Sequence, residues 1–220
     1  MLSNEMFALI GHGLLETLYM TVISTVLAYV LGLPIGIILV ITDKEGIKPN
    51  PVINKALGSI VNILRSVPFI ILLVAVMPLT RAIVGTSIGS TATIVPLVIA
   101  SAPFIARLVE NSVKEVDQGV IEASISMGAT TFQIICKVML PEAKPSLITG
   151  AAIATTTILS YSAMSGFVGG GGLGTIAINY GYYRSKTDIM LVMVAILVLI
   201  VQVFQEIGDF ISRKSDKRIR

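Results

Sequence analysis

Glu122-Ala123-Ser124-Ile125-Ser126-Met127-Gly128-Ala129-Thr130-Thr131-Phe132-Gln133-Ile134-Ile135-Cys136-Lys137-Val138-Met139-Leu140-Pro141 is an amphipathic segment in a chain that is otherwise nearly all apolar. Asp117 stands where an N-cap would start a helix over 118–127. Gly128 then supplies a residue free to take φ > 0, as a sharp turn between two short helices requires. Thr130-Thr131-Phe132-Gln133 has the form of a capping box, with Thr130 as N-cap and Gln133 reaching back. The second helix is expected to end near Leu140-Pro141, because proline disfavours helical geometry in the residue before it. Ile121, Ile125, Met127 and Phe132 are apolar groups outside any span and need another surface, either this chain's own helix ends or a partner. Glu122 reads in two ways: a solvated carboxylate favourable with the helix dipole, or one side of a polar contact with a partner or a neighbouring helix.

Composition fixes the solvent. Of 220 residues, 54% are hydrophobic and 13% charged, about half the usual charge of a soluble domain, and the mean hydropathy is +0.88. The net charge of +3 is therefore read through membrane topology and not as a nucleic-acid footprint. Cys136 is the single cysteine, which excludes an internal disulfide, and His12 is the single histidine, which leaves no cluster with metal-ligand spacing. Uncharged runs over 17–42, 82–106, 145–183 and 189–205, with 56–80 broken by Arg65 alone, predict five spanning helices at roughly 14–41, 57–80, 88–109, 146–167 and 188–209. The first is not a cleaved leader: Glu5 and Glu16 flank it where a basic region would stand, and its apolar run is too long.

Basic residues orient the spans. With the N-terminus outside, Lys44, Lys48, Lys55, Arg107, Lys114, Lys137, Lys144, Arg213, Lys214, Lys217, Arg218 and Arg220 face the cytoplasm, against Arg81, Arg184 and Lys186 outside. Twelve against three satisfies the positive-inside rule and places the segment that opens this section on the cytoplasmic side.

Within the spans, Arg65 at the head of Arg65-Ser66-Val67-Pro68 reads either as a side chain snorkelling to the interface or as a functional charge. Pro68 and Pro78 are expected to bend that helix. Gly32-Leu33-Pro34-Ile35-Gly36 gives the first span a small-residue face for close packing. The fourth span is the polar one, with Thr155-Thr156-Thr157 and Ser160-Tyr161-Ser162-Ala163-Met164-Ser165-Gly166; its hydroxyls either bond nearby carbonyls or line a path. Gly169-Gly170-Gly171-Gly172-Leu173-Gly174 satisfies G-x-G-x-x-G, but no strand precedes it, so dinucleotide binding is rejected in favour of a flexible or close-packed external loop. No G-x-x-x-x-G-K-[ST] occurs, so the chain does not hold ATP in a P-loop. All thirteen acidic residues fall in loops or near span ends, which argues against an ion-coupled carrier, a class that commonly places carboxylates within its spans.

Glu122-Ala123, Gly128 and Leu140-Pro141, with Ser124 for a second alanine and Val138 for isoleucine, resemble the signature of ATP-binding-cassette importer permeases. Arg65 through Leu73, Ala102-Pro103-Phe104-Ile105-Ala106-Arg107 and Gly169 through Gly174 extend the resemblance over essentially the whole chain, and it is most similar to the methionine-uptake permeases. The resemblance implies one all-α permease domain over 1–220, in the inner membrane of a prokaryote, with N-terminus outside and C-terminus cytoplasmic. It implies a coupling segment at 117–141, with Glu122, Ala123, Ser124, Gly128, Phe132, Leu140 and Pro141 meeting an ATPase subunit that carries ATP and Mg. It implies a translocation path in the fourth span, where Thr156, Ser160, Ser162, Met164 and Ser165 are the candidates; Met164, a large flexible side chain among small neighbours, is expected to form the constriction at a dimer axis, the alternative being that it packs against the fifth span or lipid. The implied partners are a second copy of this chain, two ATPase subunits, the bilayer and an external binding protein; no nucleic acid is expected. The chain itself is then not an enzyme. The rivals are an ion-coupled secondary transporter, a permease for another amino acid or small polar solute, and a non-transporting membrane scaffold.

Overall fold

The computed structural model describes residues 4–216, and among them there is helix and no strand. In chain order the elements are α1 (Asn4–Ile41), α2 (Pro51–Ser66), α3 (Phe69–Ala75), α4 (Met77–Val84), α5 (Ser90–Lys114), α6 (Gln118–Ser126), α7 (Thr131–Ile134), a π-helical stretch (Ile135–Met139), α8 (Leu140–Glu142), α9 (Lys144–Met164), a 3-10 turn (Ser165–Val168), α10 (Gly172–Ile176), a second π-helical stretch (Ala177–Tyr182) and α11 (Thr187–Ser215). Lys217, Arg218 and Arg220, counted above for orientation, lie outside the described residues.

Four helical stretches are each long and apolar enough to cross a membrane: α1, α5, α9 with its 3-10 turn, and α11; α2 and α3 meet the same criterion only when counted together as one broken span. The continuous helix expected over 57–80 is corrected. The chain leaves helical geometry at Val67 and Pro68, and α2 and α3 meet there at a bend of 100°. Pro68 has no N–H to continue the ladder and pushes Val67 away from the helical region; it then stands before α3 at φ −58 and ψ 133. Pro78 does not bend a span but sits in the first turn of α4, where a missing N–H costs nothing. Helix α1 begins at Asn4 and not at 14, so Glu5 as well as Glu16 lies within it. Its 38 residues extend about 57 Å at the standard rise, more than the roughly 40–45 Å of a bilayer with headgroups.

By its contacts the chain forms two compact units. The first comprises residues up to Ala28 with Val67–Ser101 and Thr155–Gln205; the second comprises Tyr29–Ser66, Ala102–Ala154 and the residues from Glu206. The first unit is centred on Ile10, Leu173, Ile176, Ala177, Ile189 and Met193, which explains the early start of α1: Ile10 is buried there. The glycine run is close-packed. Gly170, Gly172 and Gly174 are buried, Gly172 N–H donates to Glu16 Oε2 at 2.7 Å, and Leu173 N–H donates to Thr17 Oγ1 at 2.9 Å. A Cβ on Gly172 would stand 2.6 Å from Thr17 Oγ1 on α1, while one on Gly170 would meet the Ser165 side chain and one on Gly174 the Ala163 backbone, so these positions are glycine because backbone is packed directly on α1 and on the end of the α9 segment.

In the second unit the small-residue face of α1 meets α5. A Cβ on Gly32 would stand 2.8 Å from the Ala102 carbonyl oxygen, and one on Gly36 would stand 2.6 Å from that of Ala106. Leu39, Val61 and Ala106 form the core of this unit, with Ile35 and Leu57 packed on it. Asn54 Nδ2 donates to Leu39 O at 2.7 Å and to Thr42 Oγ1 at 3.2 Å. That pair ties amphipathic α2 to the last turn of α1, whose carbonyls lack helical partners.

Candidate functional site

The segment after α5 is built by local hydrogen bonding. Asp117 Oδ1 accepts the Gly119 N–H at 2.7 Å and caps α6. At the far end Met127 N–H reaches Ala123 O, Gly128 N–H reaches Ile125 O at 2.9 Å, and Ala129 N–H reaches Ser124 O at 3.1 Å. Gly128 is at φ 80, with open space around its Cβ position, so the position demands a left-handed backbone and not a small residue. The capping box closes the next helix: Gln133 N–H donates to Thr130 Oγ1 at 3.3 Å, and Thr130 N–H donates to Gln133 Oε1 at 2.8 Å. The expected stop at Leu140-Pro141 is corrected. The chain widens into the π-helical stretch, Leu140 N–H bonds back to Ile135 O, and Pro141 is carried in the first turn of α8. The wider turn spaces the preceding carbonyls away from the proline ring, which in an α-helix would clash four residues back. The bend falls at Ala143 instead.

Burial divides the apolar residues of this segment. Ile121 is 5% exposed and Ile134 1%, packed within the second unit; Met127 is 81% exposed and Phe132 75%, with Ile125 and Val120 also exposed. Ser124 is buried and its Oγ donates to Val120 O at 2.8 Å, which explains how serine replaces a second alanine: the site is tight, and the extra hydroxyl finds a carbonyl. Glu122 and Ala123 are exposed, Leu140 half-buried and Pro141 exposed. Glu122 forms no ion pair among the described residues; it lines a cavity of about 430 Å³ with Asp43, Glu45, Ile47, Lys114 and Ile121.

A charged network lies directly behind this segment. Arg107 pairs with Glu110 through Nη1, and its Nη2 donates to Asn62 Oδ1 at 2.8 Å and to Gly58 O at 3.2 Å. Lys114 Nζ bridges Glu110 Oε1 at 3.0 Å and Asp43 Oδ2 at 2.6 Å. Glu110 is only 6% exposed, and a buried carboxylate needs such partners. The network joins α5, α2 and the loop after α1 three residues before the Asp117 cap. The Lys114 hydrogen bond, followed by that from the Lys44 N–H, holds the Asp43 carboxyl below the usual carboxylate range. Its folded value is depressed, so its contribution is complete above about pH 4, the unfolded value, and is lost as pH falls through the folded value. Sequence reading passed over this network, although Arg107, Glu110 and Lys114 at i, i+3 and i+7 on one helix carry the signal. Arg65 lies exposed in the last turn of α2, its guanidinium carbon 5.9 Å from the centre of the Phe104 ring.

The five path candidates, four on α9 and Ser165 at the start of the 3-10 turn that follows it, separate. Thr156, Ser160 and Met164, at i, i+4 and i+8, share one stripe, with Ser160 exposed and Met164 45% exposed. Ser162 and Ser165 do not join them: both are buried, and their hydroxyls donate to Leu159 O at 2.7 Å and Ser162 O at 2.6 Å. Hydroxyl-to-backbone bonding of this kind accounts for polar residues inside a helix bundle. Among the described residues no group of His, Cys, Asp and Glu is placed to hold a metal ion.

A family profile described as the binding-protein-dependent transport system inner membrane component matches residues 32–220. The chain belongs to this family. The permease is 52% identical over 203 residues to the probable D-methionine transport system permease protein MetI of Vibrio cholerae, covering 92% of this chain and 90% of that protein. It is 46% identical over 217 residues to the Pasteurella multocida protein of the same description, covering 99% and 100%. A solved structure of the MetNI methionine ABC transporter in inward-facing conformations superposes with TM-score 0.96 at 48% identity, covering 98% of the permease and 100% of that chain. A structure of an amino acid ABC transporter with histidines shares the fold, with TM-score 0.78 at 21% identity.

Proposed function

We propose that the permease is the transmembrane subunit of an ATP-driven importer and that its substrate is methionine. The observation that carries this reading is the 52% identity to a D-methionine permease over 92% of the chain. Two permeases, two ATPase subunits holding ATP and Mg, and an external binding protein make up the working importer. Deleting the chain should remove high-affinity uptake of labelled methionine by whole cells, and a plasmid copy should restore it; undiminished uptake in the deletion would refute the assignment.

The N-terminus lies outside, so that α6 through α8 and the end of α11 face the cytoplasm; the excess of basic residues at those positions supports this. In a Cys136→Ser background, a cysteine at Ser185 should react with an impermeant thiol reagent added outside, and one at Ser215 should not. The reverse labelling would invert the topology.

Glu122, Ala123, Ser124, Gly128, Phe132, Leu140 and Pro141 form the coupling element for the ATPase, with exposed Phe132 and Met127 as its apolar tip. Thr156, Ser160 and Met164 face the path, and Met164 from each of two copies closes it. A thioether adapts to an irregular gap without fixed charge. Met164→Ala should raise substrate leak or unstimulated ATPase activity and leave the thermal midpoint in place, because the side chain is exposed. Met193→Ala, at a position 0% exposed, should instead cost about 2–5 kcal/mol of stability and raise no leak per folded complex. Equal leak from both variants, or none from Met164→Ala, would remove Met164 from the gate.

A further inference from the structure

Arg65 is a charge that neither the coupling element nor the path residues of α9 use. It lies exposed in the last turn of α2, a helix that counts as part of a span together with α3. The Phe104 ring beneath its guanidinium fixes its depth. Phe104 stands 14 positions after Ser90 and 10 before Lys114, the two ends of α5, or about 21 and 15 Å along the axis at the standard rise. Both distances exceed the reach of one arginine side chain, so snorkelling to an interface does not account for it. Arg107, less than one turn further along α5, is satisfied by Glu110, Asn62 and Gly58 O. Arg65 has no ion pair or side-chain hydrogen bond among the described residues.

A cation at such depth faces a bundle interior or a water-filled cavity and marks a substrate pathway. The rest of α2 favours water. Lys55, Ser59, Asn62 and Ser66 recur at i, i+4, i+7 and i+11, all four are exposed, and Arg65 stands at the edge of their stripe. The stripe is polar where lipid would demand apolar side chains. The aromatic face steadies the guanidinium plane by a cation–π contact and leaves its N–H fork open, and that fork matches a carboxylate with two parallel hydrogen bonds. Methionine at neutral pH is a zwitterion, so a fixed cation takes its carboxylate end. A single solvated contact of this kind attracts the substrate yet releases it, as conduction requires.

We propose that Arg65 is a recognition point for the α-carboxylate of the amino acid in transit, held in place by Phe104. The proposal rests on the importer reading. The test uses the permease–ATPase complex in proteoliposomes with methionine-loaded binding protein, carrying Arg65→Cys in a Cys136→Ser background. Methionine delivered per ATP hydrolysed should fall about tenfold or more, the size of one charge-assisted contact. Aminoethyl methanethiosulfonate, which puts a cation back at this position, should restore much of it. The neutral methyl reagent and the anionic sulfonatoethyl reagent should not, and the Cys136→Ser complex should ignore all three. An undiminished ratio in Arg65→Cys overturns the proposal, as does equal rescue by the methyl reagent. A thiol that none of the reagents reaches also overturns it and places Arg65 against lipid or a second copy. A variant that only lowers the amount or thermal midpoint of the complex, with normal delivery per ATP, overturns it as well and makes Arg65 a packing residue. If the Cys136→Ser complex with Arg65 intact moves no methionine, the importer reading itself fails, a result distinct from these.

Discussion

Gly128→Val is expected to cut ATP-driven methionine uptake by about tenfold or more, and Gly128→Asn to retain most of it. The residue is at φ 80 with open space around its Cβ position. The penalty is therefore conformational, about 1–2 kcal/mol for an ordinary L-residue in the left-handed region and greater for a β-branched one. Asparagine enters that region far more readily. The strain has a local outlet, because the turn between α6 and α7 is closed by only a few backbone bonds from Met127, Gly128 and Ala129. Relaxing it re-aims Phe132 and Met127, the exposed tip of the proposed coupling element, while ligand capture by the binding protein stays as it was. Uptake by Gly128→Val at the wild-type rate would show that the turn does not carry coupling, and equal loss in Gly128→Asn would mean that the backbone argument is wrong.

The second large effect is expected behind that turn. Changing Arg107→Met and Lys114→Met together strips Glu110, 6% exposed, of both cations. A buried charge left without a partner costs about 3–5 kcal/mol, which for a chain of this size lowers the thermal midpoint by roughly 10 °C. Adding Glu110→Met to the pair should recover much of the loss, since apolar groups of similar volume replace buried ion pairs at little net cost. Midpoints read by fluorescence on detergent-purified complex decide it. A double variant as stable as the wild type, or a triple variant no better than the double, would mean that the network does not hold α5, α2 and the loop after α1 together.

Much of this architecture was legible in the residues, for identifiable reasons. The Asp117 cap, the Gly128 turn and the Thr130–Gln133 box are local devices whose partners lie within five residues, and all three stand in the structure as expected. Apolar run length located α1, α5, α9 and α11 because a bilayer sets a minimum span. The ends were less legible. Tertiary packing of Ile10 extends α1 back to Asn4, and no local signal marks that. The break at Val67-Pro68 was written in the proline, but the apolar run through 69–80 masked it; the polar face of α2, with Asn54, Lys55, Asn62 and Arg65, was the better guide. The π-helical stretch before Pro141 was not legible, since it depends on how the chain accommodates a ring that a regular helix excludes.

The candidate sites divide along the same line. Hydroxyl content singled out Thr156, Ser160, Ser162 and Ser165 together, but composition does not say which face each occupies. Counting by fours from Thr156 separates Ser160 and Met164 from Ser162 and Ser165, which lie buried and bonded to backbone carbonyls. The glycine run left two readings open, and close packing on Glu16 and Thr17 selects one. Those contacts join residues 156 positions apart, beyond the reach of any local pattern.

The central claim is that this chain moves methionine only when an ATPase works on the face that carries α6. Proteoliposomes containing the permease with its ATPase subunits test it directly, with ATP and Mg²⁺ supplied at that face alone and methionine-loaded binding protein at the other. Labelled methionine should cross toward the ATP side and accumulate there, and a non-hydrolysable ATP analogue should stop it. Accumulation by the permease alone, driven by an ion gradient and indifferent to ATP, would contradict the account.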